Sequence, residues 1–220
     1  MRVKVCGIRT DDDLDAAVKA GADAVGLLVG QLHASADFIL PGTACRLARI
    51  LPPFISPIIV THLIEAGPIL DILNKAQIFN VQLHGGSPLK DVAEIRDKIP
   101  SSGKIILAVH MINGQAVPDF EPFIPHIDAL VMDSYNKNTD QVGGTGKVHD
   151  WVKSSELAAS SRVPIILAGG LNPSNVAEAV RIVHPYGVDA NSGLKDENRN
   201  CSAKLCRDFV RNAKSEFLGK

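Results

Sequence analysis

Two side chains that could transfer protons, Cys6 and Asp133, each stand at the end of an apolar run that predicts a β-strand. Cys6 ends the run Arg2–Cys6 and precedes Gly7, which permits a sharp turn. Asp133 follows Ala129–Met132, where the strand opens to solvent. A thiolate can act as a base and a carboxylic acid as a proton donor. A free cysteine is more often a small buried hydrophobe, so Cys6 alone does not define a site.

A second pair of polar residues ends the apolar run Phe79–Leu83. Gln82 and His84 lie on one face of that strand, because side chains alternate between the two faces. A lone glutamine or histidine usually has a structural role. For the two residues together, we give a substrate site and a structural role about equal weight.

Glycine-rich turns follow three of the later apolar runs. Glycine lets the backbone approach an anion closely, and backbone N–H groups then bind it. The spacing in Gly143–Lys147 is not that of a nucleotide-binding P-loop. The candidate phosphate-binding residues are Gly144, Thr145, Gly146, Gly169, Gly170, Asn191, Ser192 and Gly193.

Short apolar runs alternate with longer amphipathic segments along the whole chain. The predicted strands are Arg2–Cys6, Ala24–Val29, Pro57–Thr61, Phe79–Leu83, Lys104–Val109, Ala129–Met132, Pro164–Leu167 and Gly187–Ala190. The predicted helices are Asp11–Ala20, Thr43–Leu51, Pro68–Ala76, Pro88–Ile99, Asn175–Val183 and Ser202–Phe217, with a short or irregular helix near Pro118–Pro122. Continuous apolar strands are typical of parallel sheets that are covered on both faces.

Eight strand–helix units in 220 residues favour one α/β domain, residues 1–220, folded as a closed (β/α)8 or TIM barrel. A doubly wound open sheet is the alternative. In such a barrel the loops after the strands carry the chemistry, and the loops after the last two strands commonly bind phosphate.

Composition excludes several classes of protein. A net charge of −1 argues against a nucleic-acid binder, and no apolar stretch is long enough to span a membrane. The N-terminus carries no secretory leader, so we expect a cytoplasmic protein. The four cysteines, Cys6, Cys45, Cys201 and Cys206, lack the spacing of a metal motif, and we expect them to be reduced.

Taken in order, these segments resemble the phosphoribosylanthranilate isomerase family. The matching segments are Lys4–Ile8, Gly21–Gly26, Val81–Gly85, Asp133, Gly143–Gly146, Leu167–Pro173 with Asn175–Val176, Gly187–Asp189 and Ser192–Gly193.

The resemblance implies an Amadori rearrangement of a phosphorylated aminoaldose to an aminoketose in tryptophan biosynthesis, without a cofactor or metal. It assigns Asp133 as the general acid and Cys6 as the general base. It places the substrate against Gln82, His84 and Asp189 and its phosphate on the glycine-rich turns. We expect a monomer or a homodimer.

The segment after the second strand departs from the family pattern. Asp37 stands where the family has an arginine that binds the substrate's carboxylate, and a carboxylate there would repel that group. We expect no nearby basic residue to compensate Asp37. The nearest downstream one, Arg46, falls on the next helix, and Arg9, after the first strand, is a more distant substitute. We expect His33 and Asp37 to line this end of the substrate pocket.

Histidines follow four consecutive predicted strands, namely His33, His62, His84 and His110. They could converge on a metal or form a polar pocket, or each could be a separate loop residue. Three functions therefore stay open: the family isomerase, a relative that acts on a different phosphorylated ligand with or without a metal, and a non-enzymatic phosphate binder.

Overall fold

A computed structural model describes residues 1–32, 35–112, 115–133, 135–136, 141–142 and 151–218. Its centre is a closed barrel of eight parallel strands, in which each strand pairs with the next and the last pairs with the first. The strands are β1 Arg2–Val5, β2 Ala24–Leu28, β3 Ser56–Thr61, β4 Val81–Leu83, β5 Ile105–Ile112, β6 Ala129–Asp133, β7 Ile165–Leu167 and β8 Gly187–Ala190. The prediction of a closed barrel rather than an open sheet is confirmed.

Helices surround this barrel. They are α1 Asp11–Ala20, α2 Pro41–Arg49, α3 Ala66–Ala76, α4 Leu89–Lys98, α5 Trp151–Ser160, α6 Val176–Val183 and α7 Ala203–Leu218. The first helix shows why these segments are helical. The Thr10 side chain accepts a hydrogen bond from the Asp13 N–H at 3.1 Å, and Gly21 ends the helix in the left-handed conformation. None of the helices in the described part of the chain combines the length and the apolar character that crossing a membrane requires.

The segment between β5 and β6 differs from its expected form. β5 is longer than expected, and its last residues pair with an antiparallel strand, Gln115–Val117. The residues Glu121–His126 then form a 3-10 helix, because Pro122 and Pro125 cannot donate the backbone hydrogen bonds of an α-helix. The expected short or irregular helix therefore lies here, directly after a hairpin that apolar periodicity did not indicate.

Alternation along the strands divides the core into two layers. Residues that point outward pack against the helices in one large cluster, while Ile58, Ile106, Ala108, Ala129, Val131 and Ala168 fill the barrel interior. Lys4 also points inward from β1, and its Nζ lies 2.6 Å from Asp189 Oδ2 on β8. The two residues are register partners, so the ion pair bridges the strands that close the barrel.

This buried ion pair should dominate the stability of the barrel closure. Changing Lys4→Met leaves the Asp189 carboxylate buried without its cation, which should cost about 3–5 kcal/mol of unfolding free energy. The double variant Lys4→Met/Asp189→Leu should lose less unfolding free energy than Lys4→Met, because it removes both buried charges. Urea unfolding measures both quantities.

The matched control is Lys19→Met, which removes an exposed partner of Asp15 and should change stability little. A double variant that is less stable than Lys4→Met alone would contradict this account.

Candidate active site

A cavity of about 200 Å³ opens at the carboxyl ends of the barrel strands. Its wall contains residues from the ends of β1 to β4 and β6 to β8 and from the loops that follow them. The lining residues are Cys6, Leu28, Gln31, Ser35, Asp37, Val60, His62, Gln82, His84, Asp133, Ala168, Gly169, Gly170, Leu171, Asp189, Ala190, Asn191, Ser192 and Arg199.

Most of the residues that the sequence singled out therefore share one cavity. Two described candidates lie outside this lining. Gly193 directly follows Ser192, which is part of the lining, and His110 is the other. His33, Gly144, Thr145 and Gly146 lie outside the described residues, so their expected roles stay predictions.

Cys6 lies on the cavity floor beside the buried ion pair. Lys4 and Cys6 are two residues apart on β1, so both side chains point into the barrel. Gly26 on β2 leaves room for them, since a Cβ at that position would lie 2.5 Å from Cys6 Sγ. Burial raises the pKa of the Cys6 thiol to about 11, although the Lys4 ammonium lowers it and only Asp189 adds to the rise. The resting group is a thiol at neutral pH.

The same environment keeps Lys4 charged. Burial lowers the pKa of the Lys4 ammonium, but the Asp189 carboxylate and then Cys6 raise it, and the net direction is upward. Lys4 is therefore a fixed cation within reach of a thiolate at Cys6.

Asp133, at the end of β6, faces a histidine that directly follows β4. His84 Nε2 lies 3.3 Å from Asp133 Oδ2, and Gln82 Nε2 lies 3.1 Å from His84 Nδ1. The Gln82 amide and the Asp133 carboxylate thus contact opposite ring nitrogens of His84. All three side chains are buried.

Three of the four predicted histidines lie side by side. The rings of His62 and His84 are 5.1 Å apart and those of His84 and His110 5.7 Å apart, both edge to face. Burial, followed by His84, lowers the pKa of His110, while Asp133 raises it. Within the residues that the structure describes, no group of three or more His, Cys, Asp or Glu side chains has the arrangement of a metal site. His62 and His84 line the cavity, and the ring of His110 packs against His84; these three residues are called the histidine wall below.

The loops after β7 and β8 form a backbone-lined end of the cavity. Gly169 and Gly170 have φ angles of 80° and 69°, which few other residues adopt without strain. Asn175 Nδ2 donates to the Gly170 carbonyl at 3.0 Å and holds this turn. On the other loop, a Cβ at Gly193 would lie 2.2 Å from the Leu171 carbonyl oxygen, so the two loops touch only because Gly193 has no side chain.

Asp37 departs most from what the sequence suggested. We expected no nearby basic residue to compensate it, and that expectation is wrong. Arg199 Nη2 donates to Asp37 Oδ2 at 3.2 Å, while Arg9 Nε and Lys195 Nζ lie 4.0 and 3.9 Å from Asp37 Oδ1. Arg9, the distant substitute considered from the sequence, does reach Asp37. The other two cations come from the loop after β8, more than 150 residues away along the chain.

Sequence reasoning assigned no role to Lys4, Arg199 or Gln31. The alternation of side chains along a strand could have indicated that Lys4 points into the barrel, because it lies on the same face of β1 as Cys6. No local pattern marks Arg199, because its place at the cavity depends on the fold of a distant loop. Gln31 pairs with His62 through Oε1 and Nδ1, and both residues line the cavity.

Comparison with known proteins gives a consistent result. The sequence profile of the family described as N-(5'-phosphoribosyl)anthranilate (PRA) isomerase matches residues 3–212. N-(5'-phosphoribosyl)anthranilate isomerase 2 of Methanosarcina mazei is 42% identical over 218 residues, which is 99% of this chain and 96% of the relative. The corresponding isomerase of Methanocella arvoryzae is 36% identical over 95% of this chain and 96% of its own length.

Solved structures agree with these relatives. A phosphoribosylanthranilate isomerase in complex with reduced 1-(o-carboxyphenylamino)-1-deoxyribulose 5-phosphate is 31% identical, covers 98% of this chain and 99% of its own, and superposes with a TM-score of 0.79. The enzyme of Thermus thermophilus is 28% identical over 98% of this chain and 99% of its own, with a TM-score of 0.81. The predicted enzyme class, an isomerase, is confirmed. The chain belongs to the N-(5'-phosphoribosyl)anthranilate isomerase family.

Proposed function

We propose that the protein converts N-(5'-phosphoribosyl)anthranilate into 1-(o-carboxyphenylamino)-1-deoxyribulose 5-phosphate, a step of tryptophan biosynthesis. The observation that carries this proposal is that Cys6 and Asp133 border one cavity whose β7–β8 end is suited to a phosphate. The names of the relatives and the ligand of the solved complex point to the same substrate and product.

The reaction is an internal redistribution of hydrogen, so substrate and product are isomers and no cofactor is needed. A proton delivered to the ring oxygen lets the bond between that oxygen and the first sugar carbon break. Removal of the proton on the second carbon then yields an enolamine, which becomes the ketone. One acid and one base, placed on the two sides of the sugar, are sufficient.

Asp133 is the proposed acid. It stands at the end of β6, and its Oδ2 lies 3.3 Å from Nε2 of His84, which directly follows β4. Gln82 contacts the other ring nitrogen of His84, so the two residues together orient the Asp133 carboxyl group toward the substrate. His84 and Gln82 are thus positioning residues in this proposal.

Cys6 is the proposed base, and Lys4 with Asp189 forms its electrostatic setting. The thiol becomes a base when it loses its proton, and the Lys4 ammonium stabilises the thiolate that results. Asp189 keeps Lys4 charged and in place through the 2.6 Å ion pair. Asp189 is therefore assigned to the base rather than to direct substrate binding.

The phosphate is assigned to the backbone N–H groups of Gly169–Gly170 and of Ser192–Gly193. Gly169, Gly170 and Ser192, the first residue of the 3-10 helix Ser192–Leu194, line the cavity, and backbone N–H groups in such turns bind anions. The Asn191 amide donates to Asp37 at 2.9 Å, so its side chain supports the wall rather than the anion. Gly144, Thr145 and Gly146 remain predicted contributors, and a monomer or homodimer remains the expected state.

The purified protein should convert the proposed substrate, with the product identified by chromatography against a standard. The variants Cys6→Ser and Asp133→Asn should each lose about 10²–10⁴-fold in kcat with a nearly constant KM, because they remove proton transfer rather than binding. The exposed Asp15→Asn and the α2 variant Cys45→Ser are matched controls that should retain full activity. Turnover that survives both active-site changes would reject the assignment.

The pH dependence follows from the buried thiol. Since the pKa of Cys6 is raised to about 11, the thiolate fraction grows with pH throughout the neutral and mildly alkaline range. We expect the rate at which iodoacetamide alkylates Cys6 to rise by up to about tenfold per pH unit from pH 6 to 9, because the thiolate is the form that reacts. Mass spectrometry of the peptide that contains Cys6 measures this rate. A plateau that begins near pH 7 would show that Cys6 is already ionised and would contradict the account.

A further inference from the structure

The buried carboxylate of Asp37 holds an arginine at the cavity. Asp37 is 1% exposed, and its Oδ2 accepts hydrogen bonds from Asn191 Nδ2 at 2.9 Å and from Arg199 Nη2 at 3.2 Å. Asn191 and Arg199 both belong to the region after β8, whereas Asp37 follows β2. The contacts therefore pull the last loop across the end of β1.

Several charged side chains surround the Asp37 carboxylate. Arg9, Lys195 and Arg199 are the three cations near Asp37, and Asp13 is a second carboxylate, 3.6 Å from Arg9. Asp196 is a third carboxylate in the same loop, but its Oδ1 accepts from the backbone N–H groups of Asn198 and Asn200 rather than from these cations. Of the three cations, Arg199 is the one that lines the cavity.

The backbone of Arg199 is held as firmly as its side chain. Its carbonyl oxygen accepts from Arg9 Nη2 at 2.6 Å, and its N–H donates to the Asp196 carbonyl at 2.9 Å. Arg199 has a φ of 61°, unusual for a residue with a side chain, so these contacts impose its conformation. Among the described residues, its Nη1 and Nε donate no hydrogen bonds, which leaves donors for a carboxylate.

We propose that Arg199 binds the carboxylate on the aromatic ring of the substrate and that Asp37 is the positioning residue that holds it. This inference rests on the proposed function, because the carboxyphenyl group belongs to that substrate. A guanidinium group suits a planar carboxylate, which it can bind through two parallel hydrogen bonds. The phosphate, by contrast, has the backbone groups beside Gly169 and Ser192. Asp37 then does not repel the substrate, since Arg199 supplies the positive charge between them.

The experiment compares two reduced product analogues, one with the carboxyl group on the ring and one without it, by titration calorimetry. Arg199→Met should weaken binding of the carboxylated analogue by about 10- to 100-fold, the range for a hydrogen bond to a charged group. Binding of the analogue without the carboxyl group should stay within about twofold. Arg199→Lys should recover part of the loss, and Arg181→Met, on the exposed face of α6, is the matched control.

Asp37→Asn tests the positioning role in the same assay. It should weaken binding of the carboxylated analogue alone, and the double variant Asp37→Asn/Arg199→Met should bind it no more weakly than Arg199→Met. In turnover, Arg199→Met should raise KM far more than it lowers kcat. Thermal unfolding of each variant separates these effects from loss of the fold.

If Arg199→Met weakens the binding of both analogues equally, the inference is overturned, because Arg199 would then contact the phosphate or have a structural role. Unchanged binding of both would also overturn it. If the unaltered protein binds neither analogue and does not turn over the substrate, the proposed function itself fails, and the two failures are distinguishable.

Discussion

The ion pair between Lys4 and Asp189 is the interaction on which the rest of the site depends. Both side chains are almost completely buried, at 5% and 7% exposure, and two charges leave water only where each compensates the other. The pair joins β1 to β8, which closes the barrel, and it places a cation beside Cys6. One contact thus serves both the architecture and the proposed base.

Buried charges also compensate each other at the part of the cavity wall that contains Asp37. Asp37 is buried like Asp189, but it meets several cations on flexible side chains rather than one lysine in register with it. The first arrangement fixes charges inside the barrel, where a proton is to be moved. The second orients one arginine toward the cavity, where an anion is to be held. The histidine wall lies between these two sites, and its member His84 connects the proposed acid, Asp133, to Gln82 on β4.

Much of this molecule could be predicted from its sequence because the signals are local. Continuous apolar runs such as Ile105–Val109 indicate buried parallel strands, and a glycine pair such as Gly169–Gly170 indicates a turn suited to an anion. Asp37 could not be interpreted in this way. Its partner Arg199 lies 162 residues away, and only the closure of the barrel brings the two together. The hairpin after β5 was missed because its outer strand is short and partly exposed, without an apolar face.

The central claim is that the substrate lies across the barrel mouth with its phosphate at β7 and β8, its sugar between Cys6 and Asp133 and its carboxylate on Arg199. A crystal structure with reduced 1-(o-carboxyphenylamino)-1-deoxyribulose 5-phosphate bound tests it most directly. The account predicts phosphate oxygens on the N–H groups of Gly170 and Ser192 and the carboxylate within hydrogen-bond distance of the Arg199 guanidinium group. A ligand bound in the reverse direction, or a sugar out of reach of Cys6, would contradict it.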